Sequence, residues 1–180
     1  ATKFAINLLP FNNIDIYQIA LSSTSIDVKF AIKYKGKELN YLSKVLKTEN
    51  KDYETIKINS DRLDKVLDKY KEEVSLIKID VEGHEFEVIQ GSLKSIKKYL
   101  PIIIFEINSG PEGSKSFENI ITILSGFEYI YYFIEGKNNL IKVNNYDDLP
   151  NPFNRNLIAV SKKNEKYLSF TEGKLTTNNF

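Results

Sequence analysis

Asp80, Glu82, His84 and Glu106 are the residues whose types and spacing could do chemistry in this chain. The first three fall in Leu76-Ile77-Lys78-Ile79-Asp80-Val81-Glu82-Gly83-His84-Glu85, and the fourth near the end of Pro101-Ile102-Ile103-Ile104-Phe105-Glu106-Ile107. A carboxylate at the end of a buried strand can accept a hydrogen bond from a ligand. It can also act as a base when its surroundings raise its proton affinity. Two carboxylates on neighbouring strands, about 5 Å apart in backbone spacing, can share a substrate hydroxyl or a metal. For Asp80 the alternative is structural: it would accept from the amides of the turn Val81–Gly83. Both readings stay open. Glu82 is expected to face the same cleft, and Gly83 to supply a tight strand-to-helix turn. Glu85 falls in the first turn of the next helix, where negative charge is favoured, and reads as a capping residue. His84 is the single histidine. Near a helix N-terminus its imidazole would stay neutral, suited to a general base or a hydrogen-bond partner. A lone histidine is nonetheless more often an exposed residue than a catalytic one. A metal would need more ligands than Glu82 and His84 can add, so no metal site is expected.

These residues must be positioned by a sheet. Both apolar runs are rich in β-branched residues with little polar alternation, the pattern of strands buried on both faces in a parallel sheet covered by helices. Ligands of such sheets collect at the carboxyl ends of the strands, where Asp80 and Glu106 lie. Between the runs, Phe86, Ile89, Leu93, Ile96 and Leu100 mark one helix from about 84 to 99, ended by Pro101. Upstream, residues 3–9 read as a helix end, residues 14–20 as a strand, and residues 26–34 as a half-solvated strand closed by a turn at Lys35-Gly36. Residues 37–53 read as a surface excursion with a short helix at 39–47, and residues 55–58 as a strand. Ser60 is expected to cap a helix carrying Leu63, Val66, Leu67 and Tyr70. Ser116 is expected to cap another with Phe117, Ile120, Ile121 and Leu124, ended by Gly126. Residues 128–134 and 156–161 read as an antiparallel strand pair, and the polar residues 171–180 as a loose tail. The order strand–helix–strand–helix–strand gives an α/β class.

Composition narrows the function. With 180 residues, 42% hydrophobic and 27% charged, the chain supports one domain with a real core. Its net charge of +1 offers no bulk field for nucleic acid. The lysines at 94, 97 and 98 read as a solvated face rather than a stacking platform. No cysteine is present, which excludes disulfides, thiolate metal sites and cysteine nucleophiles. No apolar run approaches the roughly 20 residues of a membrane helix. The eight glycines form no phosphate cradle, and no serine-hydrolase elbow motif is present. Neither nucleic acid nor membrane is expected as a partner, and a cytoplasmic location is expected.

The combination of Leu76 to Glu85, Val88-Ile89-Gln90-Gly91 and Pro101 to Glu106 closely resembles the FkbM family of S-adenosylmethionine-dependent methyltransferases. Asn7 to Ser23 is similar to that family's segment around its third strand, and Arg155 to Val160 to its closing strand. The resemblance implies a Rossmann-like class I methyltransferase sheet, mostly parallel with an antiparallel C-terminal strand pair. It also implies a partial methyltransferase domain over residues 1–170. Family members begin with a strand, a glycine-rich turn for the methionine part of the donor, and a second strand with an acidic end for the ribose. These are not in this sequence. The expectation is therefore a fragment of a longer enzyme, with open edges on the strands at 14–20 and 74–80, and weak or no donor binding by this chain alone. Carried over by position, Ala20 and Leu21 would lie near the adenine. Asp80 would sit beside the transferred methyl, Glu82 and His84 would line the acceptor cleft, and Glu106 would close its far wall. The implied activity is O-methylation of a small-molecule or glycan hydroxyl, on a sugar or secondary metabolite. The excursion at 35–55 and the loop at 137–153 would shape acceptor specificity. The alternatives are a non-catalytic methyltransferase-like interaction module and a metal-dependent hydrolase using Asp80, Glu106 and His84.

Overall fold

The computed structural model describes residues 13–39, 45–46, 48–136, 139–150, 155–171 and 174–176. The two apolar runs form strands β6 (Leu76–Ile79) and β7 (Ile102–Ile107), paired in parallel with Ile79 opposite Phe105. They sit at one end of a seven-stranded sheet that continues through β10 (Arg155–Ser161), β8 (Tyr129–Glu135), β9 (Asn139–Val143), β12 (Lys174–Thr176) and β11 (Ser169–Thr171). All the other pairings in this sheet are antiparallel, so among the described residues it is not the mostly parallel sheet expected. The antiparallel pair β8–β10 is as expected. Between them in sequence comes β9, which turns back on β8 as a hairpin where the sequence pattern predicts only a connection. Part of the segment read as a loose tail forms β12 and the end of β11, with Lys174 opposite Asn139.

The connection from β6 to β7 is helical but not one helix. It runs as α2 (Glu85–Gln90) and α3 (Leu93–Tyr99), broken at Gly91-Ser92. Leu100 closes α3 in the left-handed region at φ 50, one residue before Pro101. The break has a cause. Asp64, buried on the short helix α1 (Leu63–Leu67), accepts hydrogen bonds from the amides of Lys94 and Ser95 at 3.0 and 2.8 Å and from the Ser95 hydroxyl at 2.7 Å. A new helix start is thereby capped from a neighbouring element. Ser60 caps nothing; it lies in β5 (Ser60–Asp61), buried, and its hydroxyl donates to the carbonyls of Thr24 and Ile26. Likewise α4 (Pro111–Leu124) starts at a proline rather than at Ser116, and a 3-10 turn at 125–127 follows it. Glu128, not Gly126, takes the left-handed position there.

One face of the sheet buries the core. Ile77, Ile79, Ile103, Phe105, Ile107, Leu157 and Ala159 pack against Val88, Ile89, Ile96, Phe117, Ile120 and Leu124 of the helices. At roughly 25 cal/mol per Å² of apolar surface, this is the main stabilising contact of the fold. The other face carries a smaller cluster of Tyr132, Leu140, Ile158 and Val160. Strand β6 ends the sheet, its outer edge pairing with nothing among the described residues, and Leu76 is 52% exposed there. That is the open edge expected for 74–80.

The strand expected at 14–20 is reduced to β1 (Ala20–Leu21), which pairs in parallel with β5. Ile14, Ile16 and Ile19 are exposed, and a strand without a neighbour has nothing to hold its backbone groups. Strand β2 (Val28–Tyr34) pairs antiparallel with β3 (Lys37–Glu38) and β4 (Tyr53–Ile58) in a separate small sheet. Its turn is the expected Lys35-Gly36, both at positive φ as a two-residue hairpin requires. The helix read at 3–9 lies outside the described residues, as does most of the one read at 39–47, although Val45 forms an isolated bridge with Phe30.

Candidate functional site

Asp80 follows β6 directly, and continuing the β6–β7 register places it alongside Glu106. Both alternate with inward-facing neighbours, Ile79 and Phe105, so they share the sheet face away from α2 and α4. Two residues on, Glu82 sits in the left-handed region at φ 51, with Gly83 at φ 93 behind it. A non-glycine residue there costs about 1–2 kcal/mol, and the turn tolerates it because the next residue is glycine. The strained turn brings Glu82 into the electrostatic neighbourhood of Glu106. Partial burial, then Glu82, then Asp80 raise the Glu106 carboxyl above its ordinary value, and Lys78 opposes them. Such a carboxylate holds a proton more tightly than a free one, as a general base should.

Lys78 is the member that the sequence reading missed. Its ammonium lies 3.2 Å from Asp80 Oδ2 and 3.3 Å from the Ile79 carbonyl. The signal was the i, i+2 spacing on one strand face, hidden because lysines are common on any solvated face. With Asp80 60% and Lys78 41% exposed, the pair adds well under about 1 kcal/mol to stability. Asp80 therefore takes Lys78 as partner, while the turn amide of Gly83 goes to Glu85, whose Oε1 accepts from it at 3.1 Å. Glu85 is nearly buried, and burial raises its proton affinity against the amides that lower it. It acts as the expected turn and helix-start partner.

His84 departs from expectation. Its ring is buried, Nε2 is hydrogen-bonded to Ser22 Oγ at 3.0 Å, and Nδ1 lies 3.5 Å from Glu87 Oε2. It therefore ties the loop after β1 to α2 and does not line the cavity described below. The imidazole can be buried there because Ser22 and Glu87 offer it polar partners. Gly91 lets this contact form, its α-carbon facing the Ser22 carbonyl so closely that a β-carbon would lie 2.1 Å from the oxygen. Ala20 and Leu21 are held in β1 on the other side of this loop. Leu21 packs on the core, and the Ala20 amide donates to the Asn59 carbonyl at 2.9 Å.

Beside the carboxylates is a cavity of about 620 Å³. Its walls come from the α2 turn (Glu82 to Glu87), from α4 and Asn108, and from the small sheet with the segment before β4 (Thr48, Asn50, Tyr53). Of the four predicted catalytic residues, Glu82 alone lines it; Asp80 and Glu106 stand at the strand ends and are not among the lining residues. No described residue from 137–153 lines it, but the Tyr146 hydroxyl donates to the carbonyls of Asn108 and Gly110 at 3.3 and 3.2 Å, bracing one wall. Among the described residues, no group of three or more histidine and carboxylate side chains is arranged to hold a metal ion. No helix among them is long and apolar enough to cross a membrane.

Residues 4–133 match the family model described as the methyltransferase FkbM domain. The chain belongs to the FkbM methyltransferase family. The match spans the β6–α2–α3–β7 unit, α4 and most of β8, and so includes every carboxylate of the site; the closing strand at 155–160 lies outside it. No curated protein and no solved structure matches the chain. Within the FkbM domain, the turn Val81-Glu82-Gly83 can be given a physical role: it holds a strained carboxylate between a strand end and a cavity.

Proposed function

We propose that this protein is an S-adenosylmethionine-dependent O-methyltransferase of a sugar or secondary-metabolite hydroxyl, built on a Rossmann-like class I sheet. The observation that carries the reading is the convergence of Asp80, Glu82 and Glu106 at the carboxyl ends of the parallel pair, beside a cavity, in a family of methyltransferases. The described residues fit the donor in part. Asp80 is exposed at the strand end, where a carboxylate can meet a cationic donor or accept from a hydroxyl. The small side chain of Ala20 suits a flat ring, whereas Leu21 is already packed on the core. When bound, the donor would supply an electrophilic methyl group.

The chain's own residues would handle the proton. Glu106, with its raised affinity, takes the proton of the acceptor hydroxyl as the oxygen becomes nucleophilic. Glu82 and Asp80 keep it basic, while Lys78 prevents the three carboxylates from accumulating uncompensated charge. The reacting hydroxyl would sit at the strand ends beside Glu106 and the rest of the acceptor in the cavity that Glu82 lines; holding it in line is the largest contribution a pocket makes to such a transfer. The test is transfer of labelled methyl from S-adenosylmethionine to a panel of glycosides and hydroxylated metabolites. Glu106→Gln is expected to lower kcat by about 10²–10⁴-fold. Full activity in Glu106→Gln would remove Glu106 from the mechanism.

A further inference from the structure

The cavity has a wall that the carboxylate cluster does not need. Tyr53 and Asn50 come from the small sheet and the chain leading into it, facing the α2 turn across the space. The Tyr53 ring is half-buried and braced by Tyr34, their centroids 4.8 Å apart at 44°. Asn108 and Asn119 add amides from the α4 side. A braced aromatic face opposite a ring of amides and carboxylates suits a polyol, whose C–H face packs on the ring while its hydroxyls bond at the rim.

The charge on the walls is one-sided. Glu82, Glu85, Glu87 and Glu112 line the space, and Lys115 is the one cation among the described lining residues. An anionic group entering it would meet like charge in a partly desolvated setting. Glu82 stands in this wall on a left-handed backbone at φ 51, a conformation that fixes its place in the turn.

We propose that the cavity is the acceptor site and that it selects a sugar bearing no anionic group, neutral or amino-substituted, with Tyr53 as its stacking face. This rests on the methyltransferase reading for its role, but its test needs no donor. Saturation-transfer NMR on the protein would use methyl glucoside, glucosamine and glucose 6-phosphate as probes. Signal is expected from the first two, with glucose 6-phosphate at least about tenfold weaker. Tyr53→Ala should abolish the signal while Tyr53→Phe keeps it, which separates stacking from a general loss of the small sheet. Glu112→Lys, at an exposed position in the first turn of α4, should admit glucose 6-phosphate. Equal binding of all three probes, or binding intact in Tyr53→Ala, would overturn the proposal. If no sugar binds but another hydroxyl compound is methylated, the sugar assignment fails and the methyltransferase stands. If sugars bind as stated and no methyl is transferred, the reverse holds.

Discussion

Gly91→Ala separates the structural account from one based on helix propensity, because the two expect opposite signs. Gly91 closes α2 at φ −76 and ψ 0, a backbone that alanine adopts freely. Propensity alone would therefore have the substitution stabilise the protein by up to about 1 kcal/mol. The structure says otherwise. The new β-carbon would lie 2.1 Å from the Ser22 carbonyl oxygen and 3.0 Å from its carbon, where ordinary contact begins at 3.4 Å. Both neighbours are backbone, so the loop after β1 must retreat by more than about 1 Å, in the range of overpacking costs of about 1–3 kcal/mol. That retreat also takes Ser22 Oγ out of reach of His84 Nε2, now 3.0 Å away, leaving a buried imidazole short of a partner for about 1–3 kcal/mol more. Net of propensity, a loss of about 1–5 kcal/mol is expected, or roughly 3–15 °C in Tm for a domain of this size. Urea and thermal unfolding followed by circular dichroism would measure it for Gly91→Ala, Ser22→Ala and the double variant. Ser22→Ala should be costly alone and nearly free once Gly91 is alanine. A Gly91→Ala protein as stable as the parent, or single-variant losses that add within about 0.5 kcal/mol, would refute the reasoning.

Other outcomes follow from the same geometry. Asp64→Ala removes the acceptor of three hydrogen bonds at the start of α3 and should cost about 2–3 kcal/mol in urea unfolding, with Asp64→Asn recovering part of it. Glu82→Gly should leave stability unchanged or raise it by at most about 1 kcal/mol, since glycine accepts the left-handed backbone, while methyl transfer is lost. Glu106 and Glu85 bind protons more tightly folded than unfolded. Their contribution to stability is therefore greatest at low pH and is lost as pH rises from the ordinary value of 4.5 through the raised folded values. Glu106→Gln should flatten that part of the stability–pH curve, and the variant's relative stability should increase with pH across the window. Leu76→Lys, on the open edge of β6, should change stability by less than about 0.5 kcal/mol, because that side chain is half-exposed.

The strands bearing the carboxylates were legible as strands from their apolar runs, but burial on both faces does not hold. In β6 the buried Ile77 and Ile79 alternate with exposed Leu76 and Lys78, because the sheet face away from the helices is uncovered there, and in β7 Ile102 and Ile104 are only half-buried. Asp80 and Glu106 come together because register and alternation follow from the runs themselves; Glu82 joins them through the left-handed turn, which the runs do not announce. What the sequence hid was decided by distant partners. His84 looked exposed because its partner Ser22 is 62 residues away, and the helix from 84 to 99 looked continuous because the cap that breaks it comes from Asp64. Gly91 stood out as part of the family pattern, but only the approach of the Ser22 backbone explains it. The antiparallel majority of the sheet was only partly legible because β9, β11 and β12, unlike β8 and β10, are short polar-flanked runs that carry little periodic signal.

The most direct test is calorimetric titration of S-adenosylmethionine into the protein and into its Asp80→Asn counterpart. Binding, weakened in Asp80→Asn, is the expected result. No binding to the protein would contradict the assignment of a methyl donor to this site.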